Sequence, residues 1–144
     1  MSTSSPAARI DPRGPRFAAS LTTLVLVVVL ATGSGWLLLA QTAVFALGAF
    51  AGLGYSPYGW LYRVAVRPRL GPPRELEDAA PPRFAQAVGF GFGAVGTLGY
   101  LSGLGWLGML ATALALAAAF LNAAFGYCLG CEMYLLLARA RSRA

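Results

Sequence analysis

Gly126-Tyr127-Cys128-Leu129-Gly130-Cys131-Glu132-Met133-Tyr134 holds the only two cysteines of the chain and lies where a long apolar run gives way to arginines. The run from Trp106 to Ala138 is nearly unbroken. As one straight helix it would reach about 50 Å, against a bilayer hydrocarbon core of about 30 Å. It must bend or break. Trp106 to Phe125 already suffices to cross the core, so the break is expected at Gly126-Tyr127, with a separate Cys-X-X-Cys helix over about 128–141.

A chain of 144 residues that is 58% hydrophobic and 11% charged is too apolar for a soluble domain of its size. It reads as a small integral membrane protein whose first partner is the lipid bilayer. The net charge of +6 owes its positive part to arginine alone. The arginines form three clusters: Arg9, Arg13, Arg16; Arg63, Arg67, Arg69, Arg74, Arg83; and Arg139, Arg141, Arg143. These flank apolar spans instead of covering a folded face, so no nucleic-acid partner is predicted. The absence of histidine excludes imidazole ligation of haem or zinc and histidine-based general base catalysis.

Outward from the cysteines, the chain reads as an all-α membrane protein of four transmembrane helices in two tandem hairpin repeats. Residues 1–16 are rich in Ser, Pro, Arg and Ala and read as a mobile tail, flexible over 1–10. The first repeat, 11–70, has spans at about 17–33 and 36–53 joined by the tight turn Gly33-Ser34-Gly35. An amphipathic helix at about 57–67 follows, its Tyr, Trp and Arg suited to the headgroup layer. Residues 71–83 form a Pro-rich linker whose Glu75, Glu77 and Asp78 read as a solvated loop. The second repeat, 84–144, has spans at about 84–101 and 106–125 joined through Ser102-Gly103-Leu104-Gly105, then the Cys-X-X-Cys helix. Gly91-Phe-Gly93-Ala-Val-Gly96 copies the dinucleotide-binding glycine pattern but lacks its strand and acidic residue. Gly89, Gly93 and Gly96 instead share a helical face on which two helices can approach closely. A homo-oligomer is open on the same logic.

Three landmarks recur in order. Asp11-Pro-Arg-Gly-Pro-Arg-Phe-Ala18 resembles Asp78-Ala-Ala-Pro-Pro-Arg-Phe-Ala85; Gly35-Trp36 matches Gly105-Trp106; and Gly54-Tyr55 through Tyr62 matches Gly126-Tyr127 through Tyr134. An internal duplication accounts for this order, and it argues against reading the first span as a cleaved signal peptide. Two spans per half place every arginine on one side, which the positive-inside rule makes the cytoplasm. Both termini are then cytoplasmic.

The duplication also bears on the cysteines, because Cys128 aligns with Ser56, and Ser56-Pro57 is a helix-start signal. Cys128 is therefore expected at the N-cap of the last helix, with Cys131 one turn on. A helix N-terminus stabilises a thiolate, while Glu132 opposes it. Other readings stay open: two buried small hydrophobes, or half of a zinc site completed by a second chain. A structural disulfide is not expected on a reducing cytoplasmic side.

Asp11 to Phe17, Tyr58-Gly-Trp-Leu-Tyr-Arg63 with Arg67-Pro-Arg69, Pro82-Arg-Phe-Ala-Gln86 and Cys128-Leu-Gly-Cys131 together resemble the bacterial integral membrane proteins of the domain of unknown function 4395 family, over roughly residues 8–141. Family membership brings no established activity. Such proteins tend to be encoded near thioredoxin-like and sulfurtransferase proteins, and the resemblance thereby implies a thiol or sulfur partner. It also implies the inner (plasma) membrane of a bacterium.

Two functions are carried forward. One is a membrane thiol redox or sulfur-relay protein in which Cys128 attacks a partner's disulfide or persulfide and Cys131 resolves the adduct. The other is a non-enzymatic scaffold or small permease with structural cysteines. No bound cofactor or metal is predicted, and a quinone is neither required nor excluded by these residues. Gln41, Gln86 and Asn122 are the amides inside the spans and are expected to bond between helices.

Overall fold

In the computed structural model, which describes residues 9–143, the chain is all-α apart from one two-residue ribbon. The order is β1 (Arg9–Ile10), α1 (Arg13–Thr32), α2 (Gly35–Ala46), α3 (Pro57–Leu61), α4 (Arg67–Leu70), β2 (Glu77–Asp78), α5 (Ala80–Leu101), α6 (Gly105–Phe125) and α7 (Leu129–Arg143). The middle of α1 mixes Leu with Val and Thr, and the χ1 stiffness of these two β-branched residues costs helix propensity in water. A helix is still the outcome for such a segment wherever backbone groups find no other partner.

Glycine and serine set the boundaries. α1 stops at Gly33, left-handed at φ 66°, whose N–H reaches the Val29 carbonyl, and Ser34 then caps α2 by accepting from the Leu37 N–H at 3.1 Å. α6 stops at Gly126, φ 70°, so the long apolar run does break at the expected residue. α2 widens into a π-helical stretch over Leu47–Ala51 and ends at Gly52. The apolar helix Gly35–Ala51 is thus shorter than the span expected over 36–53. Among the described residues, α1, α5 and α6 are the three helices long and apolar enough to cross a membrane.

α1 packs chiefly on α6 and α2 on α5, with α5 against α6 between them. Each half therefore lends its helices to the other. Leu26 and Val29 of α1, Leu38 of α2 and Ala115 of α6 meet at the centre. Two of the buried threonines turn their hydroxyls back onto their own helices: Thr42 donates to the Leu38 carbonyl and Thr112 to that of Gly108, both at 2.7 Å. The polar groups are paid for locally and the interfaces stay smooth.

The glycine face of α5 does what its spacing predicts. A Cβ on Gly89 would fall 2.7 Å from the Phe45 ring and one on Gly96 2.8 Å from Leu38, while one on Gly93 would collide with the Thr42 hydroxyl. Gly91, on the same helix, faces open space. A Cβ on Gly35 would strike Tyr100 and Leu101. Both short turns accordingly sit at one end of the bundle. The other end carries Arg16 beside Ala123 and Arg83 beside Ala49.

The N-terminal segment departs from expectation. The tail expected over residues 1–16 falls outside the described residues only as far as residue 8. From there Arg9 and Ile10 pair antiparallel with Asp78 and Glu77 of the linker, and α1 already begins at Arg13. Asp11 is the cause, because it bonds simultaneously to Arg13 and Tyr62 and so ties this segment to the helix that follows the first hairpin.

Gly93→Leu should lower the yield of folded monodisperse protein and its thermal midpoint sharply, overpacking of this kind costing about 1–3 kcal/mol or more. Gly91→Leu should be neutral. Size-exclusion profiles and thermal unfolding of the two variants in one detergent check this; equal tolerance would mean that α2 and α5 do not meet at Gly93.

Candidate functional site

The cysteine helix is placed by three local features. Gly126 turns the chain away from α6, and Gly130 lets α7 cross α5 so closely that a Cβ there would sit 2.5 Å from the Ala85 Cα. One turn further on, Tyr134 leans on Phe84, ring centroids 5.9 Å apart. The first half repeats this arrangement, with Tyr62 against Phe17 at 5.8 Å. Glycine inside the Cys-X-X-Cys motif is thus a packing requirement for bringing both sulfurs to the α5 N-terminus.

Cys128 is the last residue before α7, and its carbonyl accepts the Glu132 N–H at 3.0 Å. Its Sγ accepts the Cys131 N–H at 3.1 Å. This is an N-cap bond with sulfur in place of a serine oxygen. The sulfur thereby meets one of the unpaired donors of the helix start, the geometry that favours thiolate over thiol when the pair is reduced. Ser56 holds the matching place before α3, with Pro57 at the first helical position and the Trp60 N–H on its carbonyl.

The two cysteines are joined by a disulfide, their Cα atoms 5.1 Å apart. The sequence reading did not expect a structural disulfide; the geometry brings the sulfurs together because residues three apart at a helix start face the same way. Two spaces adjoin the bond. A cavity of about 590 Å³ lies inside, between α1, α5, α6 and the α7 start, and Cys128 lines it together with Ser56, Gln86 and Asn122. A smaller outer groove of about 280 Å³ is lined by both cysteines with Glu77, Asp78, Tyr127 and Glu132. Cys128 touches both spaces, Cys131 only the outer one.

Of the three amides, Gln41 bonds between helices as expected, accepting from the Tyr58 hydroxyl and reaching Thr22. Gln86 and Asn122 do not. They line the inner cavity, and among the described residues neither side chain makes a hydrogen bond. No group of three or more metal-ligating side chains exists among the described residues.

Sequence reasoning missed the cluster at the cavity rim. Asp11, 7% exposed, takes a bidentate bond from the Arg13 guanidinium and a 2.6 Å bond from the Tyr62 hydroxyl, while Arg13 also donates to the Gly71 carbonyl at 2.9 Å. The Arg13 bonds hold the Asp11 carboxyl well below the usual carboxylate range, against the burial that would raise it. The signal was available. Asp11 and Asp78 stand two residues before α1 and α5, and each accepts a backbone N–H from the first residue of its helix.

Residues 10–139 match the family described as Domain of unknown function (DUF4395), and the chain belongs to it. No curated protein and no solved structure matches the chain.

The rim cluster makes a pH-dependent prediction. Because the folded value of Asp11 lies below its unfolded one, its contribution is complete above the ordinary range near ~3.9 and is lost as pH falls through the lower folded value. Asp11→Asn should therefore destabilise the protein by about 1–3 kcal/mol at pH 7, and equally at pH 5. Thermal midpoints of both proteins across pH check this: a gap that already closes between pH 7 and pH 5 would contradict the ion pair.

Proposed function

We propose that this DUF4395-family chain is a membrane-embedded thiol redox or sulfur-relay protein whose working group is the Cys128–Cys131 pair. The observation that carries this reading is the sulfur N-cap: Cys128 Sγ accepts the Cys131 N–H while lining an accessible groove. In the reduced state the Cys128 thiolate attacks a partner's disulfide and displaces one partner thiolate. The Cys131 thiolate then attacks the Cys128 sulfur of the mixed disulfide, releasing the partner's second thiolate. Two electrons pass to the partner and the Cys128–Cys131 disulfide forms. With a persulfide the same attack moves the outer sulfur onto Cys128.

The partner is a thioredoxin-like or sulfurtransferase protein docking at the outer groove, where Glu77, Asp78 and Glu132 make an acidic rim. A scaffold role for the disulfide gains little support. A bridge between residues three apart closes so short a loop that it removes little entropy from the unfolded chain.

The same reading places the protein in a bacterial plasma membrane as two duplicated hairpins, Gly35–Ala51 being the short fourth span. Reciprocal contacts favour duplication: Arg16 reaches the Ala123 carbonyl and Arg83 that of Ala49. With the arginine-bearing end cytoplasmic, Ser34 and Ser102 lie outside.

Two experiments follow. Cys131→Ser should accumulate a mixed disulfide with a partner, and Cys128→Ser should abolish both that adduct and alkylation near neutral pH. Trapping of neither kind, with alkylation as slow as for a buried unperturbed thiol, would reject the redox role. For topology, single cysteines at Ser34 or Ser102 in a cysteine-free background should be labelled by an impermeant reagent in intact cells, and one at Glu75 should not. The reverse pattern would invert the orientation.

A further inference from the structure

We infer that the inner cavity is a binding site for a lipid-soluble quinone, which takes the electron pair from the reduced cysteines; this rests on the redox reading above. The cavity is of ligand size, about 590 Å³, within the range of pockets that enclose a small molecule. It runs from the arginine-bearing end, at Arg63, to Thr22 of α1 and Leu114 of α6. An occupant therefore lies among aliphatic and alanine side chains, and a long apolar tail suits it.

The polar groups narrow the class. Charged residues occur at the rim, where Asp11 is already paired with Arg13. Deeper in, the polar contacts are neutral: the amides of Gln86 and Asn122, the Ser56 position and Cys128. Both amides lack side-chain partners among the described residues, and each has two N–H donors to give. A ligand with two carbonyl acceptors on a flat apolar ring satisfies such donors without bringing a charge inside. A phospholipid head would need its phosphate beside the rim arginines and would leave the amides unmatched.

The placement of the sulfurs supplies the chemistry. Of the two cysteines only Cys128 borders both spaces, so one sulfur can meet a protein partner at the outer groove and a membrane-soluble carrier inside. The Cys128 thiolate adds to the quinone ring, and the Cys131 thiolate attacks the Cys128 sulfur and expels the reduced ring. The S–S bond forms as the C–S bond breaks. The dithiol loses two electrons and two protons, and the quinone gains both to become the quinol. The resulting disulfide then runs the exchange written above in reverse: a partner dithiol's thiolate attacks the Cys128 sulfur and expels the Cys131 thiolate, and the partner's second thiolate closes the partner disulfide and releases Cys128, so electrons pass from the partner through the pair to the quinone.

The test uses the full chain, reduced and freed of reductant, in nanodiscs made from a quinone-free synthetic phospholipid. A short-tailed benzoquinone is added, and quinol formation and thiol loss are followed together. One quinol should appear per pair of thiols lost. Gln86→Met, close in shape but without donors, should raise the quinone concentration for half-maximal rate about tenfold or more, and Asn122→Leu should do likewise. Gly91→Leu, on the open face of α5, should change nothing. Should Gln86→Met fail to fold, Asn122→Leu and competition by a redox-inert quinone analogue give the same readout. If the wild type exchanges with a small disulfide but reduces quinone no faster than an unstructured Cys-X-X-Cys peptide, the inference fails and the redox reading stands. Phospholipid retained in the cavity that the analogue cannot displace also overturns it. If the thiols neither alkylate nor exchange, both fall.

Discussion

A helix that ends leaves its last carbonyls without intrahelical partners, and each one kept from water is costly. This fold must solve that problem twice, because its site requires α2 and α6 to stop before the chain turns into a second, shorter helix. At α6 the accounting is explicit: the Gly126 N–H takes the Asn122 carbonyl, the Tyr127 N–H takes that of Leu121, and Arg16 donates to that of Ala123. At α2 the Gly52 N–H takes the Leu47 carbonyl and Arg83 donates to Ala49. The two arginines come from the helix of the opposite half. A cation at a helix C-terminus also suits the helix dipole. The breaks that aim Ser56 and Cys128 at the bundle interior therefore depend on the way the halves are interleaved.

Interleaving in turn explains why glycine is concentrated on α5. That helix packs on α2, α6 and α7, and no large side chain fits all three faces. Gly89, Gly93 and Gly96 meet α2, with Gly96 also near Ala111; Gly99 meets Gly108 of α6; and at Ala85 the clearance is supplied by Gly130 of α7. α1 packs extensively on α6 alone and carries Leu26 and Val29 at that contact. Corresponding helices thus carry different packing solutions, and the site lies where the glycine-rich helix begins.

Much of this was legible from the residues. The break at Gly126, the cap at Cys128, the tight turn at Gly33 and the glycine face of α5 each follow from a local rule, of helix length, N-cap preference or side-chain period. The misses were non-local. Pairing of Arg9–Ile10 with Glu77–Asp78 joins segments that look like tail and linker when each is read alone. The π-helical widening at Leu47–Ala51 comes where Gln86 comes close to Gly48, a contact no window of sequence contains. Gln86 and Asn122 were expected between helices because the spans were treated as closely packed, whereas the alanines of α1 and α6 leave a cavity for them to line. Small residues permit either close approach or open space. Only the arrangement of neighbours decides which.

The comparison of Ser56 with Cys128 brings the chemistry down to one atom. Both precede a helix that follows the second apolar helix of its half, both have their carbonyl bonded four residues on, and both line the inner cavity. The two differ in the cap itself: Cys128 Sγ accepts the Cys131 N–H, whereas the Ser56 side chain makes no cap bond. A thiol in that place is a poorer hydrogen-bond acceptor than a hydroxyl but a far better nucleophile once ionised. The second half departs further from the first at residue 131, where a cysteine stands one turn on from Cys128 and the corresponding residue of the first half is Gly59. Gly59 lies under the Leu53 carbonyl, so close that a Cβ there would fall 2.6 Å from its oxygen. A second cysteine could not have been placed in the first half without moving that carbonyl. The asymmetry of the pair is therefore built into the backbone, and it puts both sulfurs beside the N-terminal end of α5.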